Sequence, residues 1–172
     1  MLSNRCTRES DVSLNEEVDI LRNIPIFSKI EPSKLKLLAF TSERITYQPD
    51  QAIVQQGEAG DSMYIIVEGS ADVIVDTLSG PLTVATLGKN AFFGDIAILC
   101  DVPRTATVQA KSELIALRIA KELFFRLGTE FPQMAFEVMR EIALRLDRTT
   151  NDLQQTKNEL VQVKAQLEAA GA

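Results

Sequence analysis

The sequence contains no histidine. Without imidazole there is no histidine general base for a serine or cysteine nucleophile and no histidine metal ligand, nor a side chain that ordinarily titrates near neutral pH. There are only two cysteines, Cys6 and Cys100, far apart and without Cys-x-x-Cys spacing. That argues against a disulfide framework or a sulfur metal site and fits a reducing compartment. Long apolar runs are missing too: no stretch approaches about 18 residues without charge, and the start, Met1-Leu2-Ser3-Asn4-Arg5, runs into acidic polar sequence instead of a signal-peptide core. A basic surplus is absent, since 24 acids face 18 bases for a net charge of −6, which disfavours nucleic acid and anionic membranes as partners. The acids are scattered, with no catalytic pair. The expectation is a soluble cytoplasmic protein that is not an enzyme, with no metal, nucleic-acid or membrane partner.

What is present is 172 residues of ordinary globular composition, 45% hydrophobic and 24% charged, enough for one core plus an appendage. Residues 1–15 are polar, aperiodic and expected to fray. From Leu14, apolar residues at helical spacing (Val18, Leu21, Ile24, then Leu35, Leu37, Leu38 and Phe40) are broken at Ile24-Pro25 and Pro32, predicting two short helices.

Between Ile45 and Ile119, β-branched and aromatic runs recur about every ten residues, separated by Gly, Asp, Asn and Pro. They are Arg44–Tyr47, Ala52–Val54, Met63–Val67, Ala71–Val75, Leu82–Leu87, Thr105–Ala110 and Glu113–Arg118. The gaps are too short for crossover helices, so the pattern predicts a small sandwich, barrel or jelly roll. Helical periodicity returns after Ile119 with Leu123, Phe124, Leu127, Met134, Val138 and Met139, interrupted around Gly128 and Pro132. From Ala135 onward a heptad continues to the end. With Met139, Leu146, Leu153, Leu160 and Leu167 at a, the d positions hold Ile142, Thr149, Thr156, Val163 and Ala170. Asp152 with Lys157 and Glu159 with Lys164 then fall at g and e′, opposite in charge across a parallel pair. A parallel homo-oligomer follows, with dimer and tetramer both open; the alternative is a helix folded back on its own domain.

The segment richest in chemistry is Phe92-Phe93-Gly94-Asp95-Ile96-Ala97-Ile98-Leu99-Cys100-Asp101-Val102-Pro103-Arg104-Thr105. It predicts a single helical turn between strands, opened by Gly94-Asp95. Unpaired backbone N–H groups at such a start attract an anion, and the Arg104 guanidinium is a two-pronged donor for phosphate oxygens. From the residues alone, Arg104 is equally readable as an exposed loop arginine and Gly94 as a turn residue.

Phe93-Gly94-Asp95-Ile96-Ala97 with Pro103-Arg104-Thr105-Ala106-Thr107-Val108, Gly57 through Gly69, and Ile24-Pro25-Ile26-Phe27 together resemble three ordered motifs of the cyclic nucleotide-binding domain family. The resemblance covers roughly residues 16 to 145 and implies a mainly β fold: an eight-stranded antiparallel, jelly-roll-like β-roll with N-terminal helices and a long C-terminal helix. It divides the chain into a flexible 1–15, a binding domain over 16–145 and a coiled-coil extension over 146–172. By resemblance, Arg104 meets the cyclic phosphate with backbone N–H groups at Ala97 and Thr105. Gly94 and Asp95 face the ribose 2′-hydroxyl, and Ile96 lines the purine side. The family usually has glutamate where this chain has Asp95, so the carboxylate is one methylene short.

The implied function is a non-enzymatic cAMP or cGMP sensor, with a cyclic purine nucleotide as ligand and no further cofactor. It would transmit binding through Met139, Ile142, Leu146, Leu153, Leu160, Val163 and Leu167 to a second copy or a downstream protein. The alternative is a scaffold whose pocket is degenerate. No winged helix or catalytic domain is expected, because the residues after the domain all belong to the heptad. The remaining residues read plainly. Gly57, Gly60 and Gly69 permit turns, Asp61 caps one, and a calcium loop would need more oxygen ligands. Cys100 is packed, and Phe92, Phe93, Phe124, Phe125 and Phe136 form core between roll and helices.

Overall fold

Prolines set the entry to the domain. The computed structural model describes residues 17–170; Cys6 and the expected fraying of residues 1–15 lie outside the described residues. A helical stretch over residues 17–22 (α1) is followed by one 3-10 turn, Pro25–Phe27, with Ile24 extended before the proline as ring sterics require. Helix α2, Pro32–Thr41, starts on its proline, where the missing N–H costs nothing. Leu21, Ile24, Phe27, Leu35 and Leu38 are fully buried, each contributing about 1.5–3 kcal/mol over exposure. Leu37 and Phe40 are 45% and 80% exposed, because they lie off the stripe through Leu35, Leu38 and Ala39.

Eight strands follow: β1 Glu43–Tyr47, β2 Ala52–Val54, β3 Ser62–Glu68, β4 Ala71–Thr77, β5 Gly80–Leu87, β6 Phe92–Phe93, β7 Thr107–Ala110 and β8 Leu114–Ala120. They form two four-stranded antiparallel sheets, ordered β1-β8-β3-β6 and β2-β7-β4-β5. The seven strands read from the sequence are present, and the eighth, β6, is only two residues long, too short to show a period. Inside the roll, Tyr47, Tyr64, Ile66, Phe93, Val108, Leu114 and Ala116 share one buried cluster, with Tyr64 and Phe93 stacked at 5.1 Å. Residues Ser62 to Val67 of β3 are buried on both faces, β7 alternates, and the edge strand β5 is exposed almost throughout.

Between β6 and β7 lies helix α3, Asp95–Cys100, which packs against β3. Helix α4, Lys121–Glu130, lies against β8 and buries Leu123, Phe124 and Leu127. Gly128 does not interrupt it; the break comes at Phe131, φ −129 and ψ 79, immediately before Pro132. Helix α5 then runs unbroken over Pro132–Ala170, 39 residues, about 58 Å at 1.5 Å per residue.

Three expectations about packing are corrected. Phe125 is 43% exposed and Phe136 67%: the first sits about 150° from the centre of the Leu123–Phe124–Leu127 stripe, the second nearly opposite Met134 on its helix. Cys100 is exposed, because α3 buries Ala97 and Ile98 and turns its last residue outward. The chain divides into one unit ending at Met134 and a second beginning at Ala135. In the second, every described side chain from Leu146 onward is exposed.

Candidate functional site

The strand-helix junction at Gly94 is built by a steric requirement. Gly94 is the N-cap of α3 in the left-handed region, φ 83. A Cβ there would stand 2.6 Å from Arg104 Nη1 and 3.0 Å from the Ser62 carbonyl oxygen, so only glycine combines this conformation with this closeness. A second close approach locks the neighbouring loop: a Cβ on Gly60 would lie 2.4 Å from Ala97 Cβ. Gly60 is therefore a contact glycine at α3, a correction to its reading as a turn residue, whereas Gly57 and Gly69 do take positive φ. Main-chain pairing completes the junction. The Gly57 N–H donates to the Arg104 carbonyl, and the Arg104 N–H to the Glu58 carbonyl, both at 2.8 Å.

Held this way, Arg104 is a charged side chain only 5% exposed. Nη1 donates to the Gly94 carbonyl at 3.2 Å, Nη2 to Ser62 Oγ at 3.4 Å, and Nη2 lies 3.8 Å from Asp61 Oδ1. Its guanidinium carbon is 5.9 Å from the centre of the Tyr64 ring, within cation–π range. All of these contacts are long for a charged donor, so the fork retains donor capacity for a shorter, stronger acceptor. Asp95 is 3% exposed and Ala97 is buried, while Ile96 is 45% exposed and Thr105 is exposed. The structure thus brings Gly94 and Arg104 into contact, and Ala97 against Gly60; Ile96 and Thr105 present surface.

Two residues beside Arg104, Ser62 and Arg118, were missed in the sequence, and a third, Asp61, was given a different role. Ser62, fully buried, donates its hydroxyl proton to Asp61 Oδ1 at 2.8 Å and accepts from both Arg104 and Arg118 Nε, the latter at 3.2 Å. Arg118 Nη2 donates to Asp61 Oδ2 at 2.8 Å, and its Nη1 is 3.5 Å from Glu43 Oε2. Asp61 is therefore an ion-pair partner, where a turn cap was expected. The Ser62 hydroxyl first, and then Arg118 and Arg104, hold the Asp61 carboxyl below its usual range against the opposing effect of burial. Burial works against the Arg118 charge, but Asp61, Tyr64 and Glu43 outweigh it and raise its pKa. The signal for Arg118 was its period-two position on β8, which places it directly opposite Tyr64 on β3 and Glu43 on β1. Nearby, burial first and then Tyr64 push the Tyr47 hydroxyl up to about 12.

A family model described as the cyclic nucleotide-binding domain matches residues 44–130, half of the chain. The chain belongs to the cyclic nucleotide-binding domain family. Its relatives include the cAMP-dependent protein kinase regulatory subunit of Blastocladiella emersonii, 34% identical over 108 residues that span 62% of this chain and 27% of that protein. Among solved structures, Thermus thermophilus catabolite activator protein aligns at 25% identity with a TM-score of 0.69, covering 77% of this chain and 63% of that one. The regulatory subunit of a cAMP-independent protein kinase A from Trypanosoma brucei aligns at 25% identity and a TM-score of 0.66, over 76% of this chain and 47% of that one. The chain spans about a quarter of the length of the first curated relatives it matches. In this cyclic nucleotide-binding domain the two four-stranded sheets make the roll. Among the described residues, no group of acids and cysteines could hold a metal ion, and no helix is long and apolar enough to cross a membrane.

The residues expected to oligomerise lie along α5. Met139, Leu146, Leu153, Leu160, Val163 and Leu167 are between 50% and 67% exposed, and Ile142 is half-buried. Met139 was also expected to face the core, and its exposure corrects that reading.

Proposed function

We propose that this chain is a non-enzymatic regulatory module that binds a cyclic purine nucleotide, cAMP or cGMP, and passes occupancy on through α5. The observation that carries this reading is Arg104: a buried guanidinium, aimed at a glycine-opened helix start, whose contacts to Gly94, Ser62 and Asp61 are all 3.2 Å or longer. A cyclic phosphodiester is a monoanion with no proton to titrate, so one arginine and oriented backbone dipoles match its charge. In this reading the N–H groups of Ala97 and Thr105 assist at the phosphate, Gly94 and Asp95 face the ribose, and Ile96 borders the base. The exposed stripe on α5 pairs with a second copy of the chain, residues 146–172 acting as the coiled-coil extension of a domain over 16–145. The complementary g and e′ charges support a parallel pair, and a downstream protein is the other recipient of the same surface.

One observation favours a second reading, a scaffold with an inactive pocket: the acid beside the Gly94 turn is Asp95, a methylene shorter than the family's usual glutamate. Calorimetric titration of nucleotide-stripped full-length protein with cAMP and cGMP separates the two. Saturable one-site binding supports the sensor, and no heat at millimolar nucleotide supports the scaffold.

A further inference from the structure

Asp61 stands between two arginines and is shared unequally. Its Oδ2 accepts from Arg118 at 2.8 Å and its Oδ1 from Ser62 at 2.8 Å, while Arg104 stands 3.8 Å from Oδ1. Both carboxylate oxygens thus have a short partner that is not Arg104. Arg118 prevails because its place is fixed by register: β8 is an inner strand, with Glu43 on β1 and Tyr64 on β3 directly opposite. Its three nitrogens are used on Asp61, Ser62 and Glu43. Arg104, in the loop after α3, has weaker purchase on the same carboxylate.

We propose that Arg118 is a positioning residue for the phosphate site, holding Asp61 so that its ion pair with Arg104 stays long, at 3.8 Å, and the Arg104 fork keeps its short hydrogen bonds for an anion. This rests on the reading of Arg104 as the phosphate partner. Asp61 is 70% exposed at its side chain, so little packing opposes its movement. Released from Arg118, it has about an ångström to travel to meet Arg104 at charged hydrogen-bond distance. An arginine already paired with an internal carboxylate must surrender or share that pair before it takes a phosphate, and affinity falls accordingly. Arg118 therefore acts through Asp61, without touching the nucleotide.

The test is a double-mutant cycle on the full-length chain, titrated with cAMP by calorimetry, with far-ultraviolet melting to confirm folding of each variant. Arg118→Gln should weaken binding about tenfold, while Arg118→Lys, which keeps one charged donor for Asp61, should stay within about threefold of wild type. Adding Asp61→Asn to Arg118→Gln removes the competing anion and should bring affinity back to within about threefold of wild type. That recovery is what a merely structural Arg118 would not produce. Arg118→Gln binding like wild type, while Arg104→Ala loses binding, overturns the positioning role and leaves the phosphate reading standing. Equal weakness of the single and double variants overturns it as well, assigning Arg118 to packing. A wild-type protein that binds no cyclic nucleotide, or one indifferent to Arg104→Ala, removes the phosphate reading and this inference with it.

Discussion

Arg104→Ala is the substitution whose consequence is most fully determined by the geometry. In the free protein the guanidinium is 5% exposed and its contacts to Gly94, Ser62 and Asp61 run from 3.2 to 3.8 Å. Its removal costs the fold modestly, about 1–2 kcal/mol, because each hydrogen bond lost is a weak one. On the proposed function the same fork becomes the charge partner of a desolvated phosphate, and truncating one member of such a pair costs about 2–5 kcal/mol. That corresponds to a loss of roughly thirtyfold to several thousandfold in affinity. Calorimetry with cAMP and cGMP on wild type and variant, at matched salt, measures it directly. Arg104→Lys keeps the charge without the fork and should fall between the two. An Arg104→Ala affinity within threefold of wild type refutes the assignment of the phosphate to this side chain.

Four further outcomes follow from other parts of the molecule. If Asp95 reads the ribose, cAMP should bind more tightly than its 2′-deoxy analogue by about 1–3 kcal/mol, the usual cost of stranding a buried polar group; equal titrations show that the shortened carboxylate does not reach. Light scattering at tens of micromolar on the full chain and on one ending at Arg148 should show an oligomer only for the former, and monomers in both refute pairing through α5. Gly60→Val forces two extra methyl groups and a Cβ into the 2.4 Å approach to Ala97 and should lower urea stability by about 1–3 kcal/mol; an unchanged midpoint refutes that packing. The raised Tyr47 pKa means the folded state resists ionisation of this hydroxyl, so its stabilisation is complete below pH 10 and is lost as pH rises toward about 12. Tyr47→Phe should flatten that alkaline limb in pH-dependent melts, and an unaltered limb excludes Tyr47 as its source.

The strands were legible because β-branched runs and their Gly, Asp and Pro punctuation are local signals, and so was the short helix at Gly94-Asp95. Other features depended on the third dimension. Strand β6 was too short to carry a period. Phe125 and Phe136 read as core by residue type, although helix phase turns both outward. At the site, Arg104 and Gly94 lie ten residues apart and could be joined by spacing. Ser62 and Arg118 are fifty-six apart and meet only through strand register. Gly60 looked like any turn glycine until Ala97 was found against it.

Asp61 also anchors the next helix, by a different part of the residue. Its carbonyl accepts the N–H of Lys121, the first residue of α4, at 2.8 Å, while the Lys121 ammonium reaches Asp101 just past α3 at 2.6 Å. The main-chain half of this tie has no side chain to lose, so no point substitution at position 61 deletes its acceptor. Side-chain exchanges at position 61 can therefore accumulate, one codon at a time, while the attachment of loop to helix is inherited unchanged. A change of loop length beside Asp61 would shift its carbonyl out of register with Lys121, and natural variation in this loop should consequently show many residue exchanges and few changes of length.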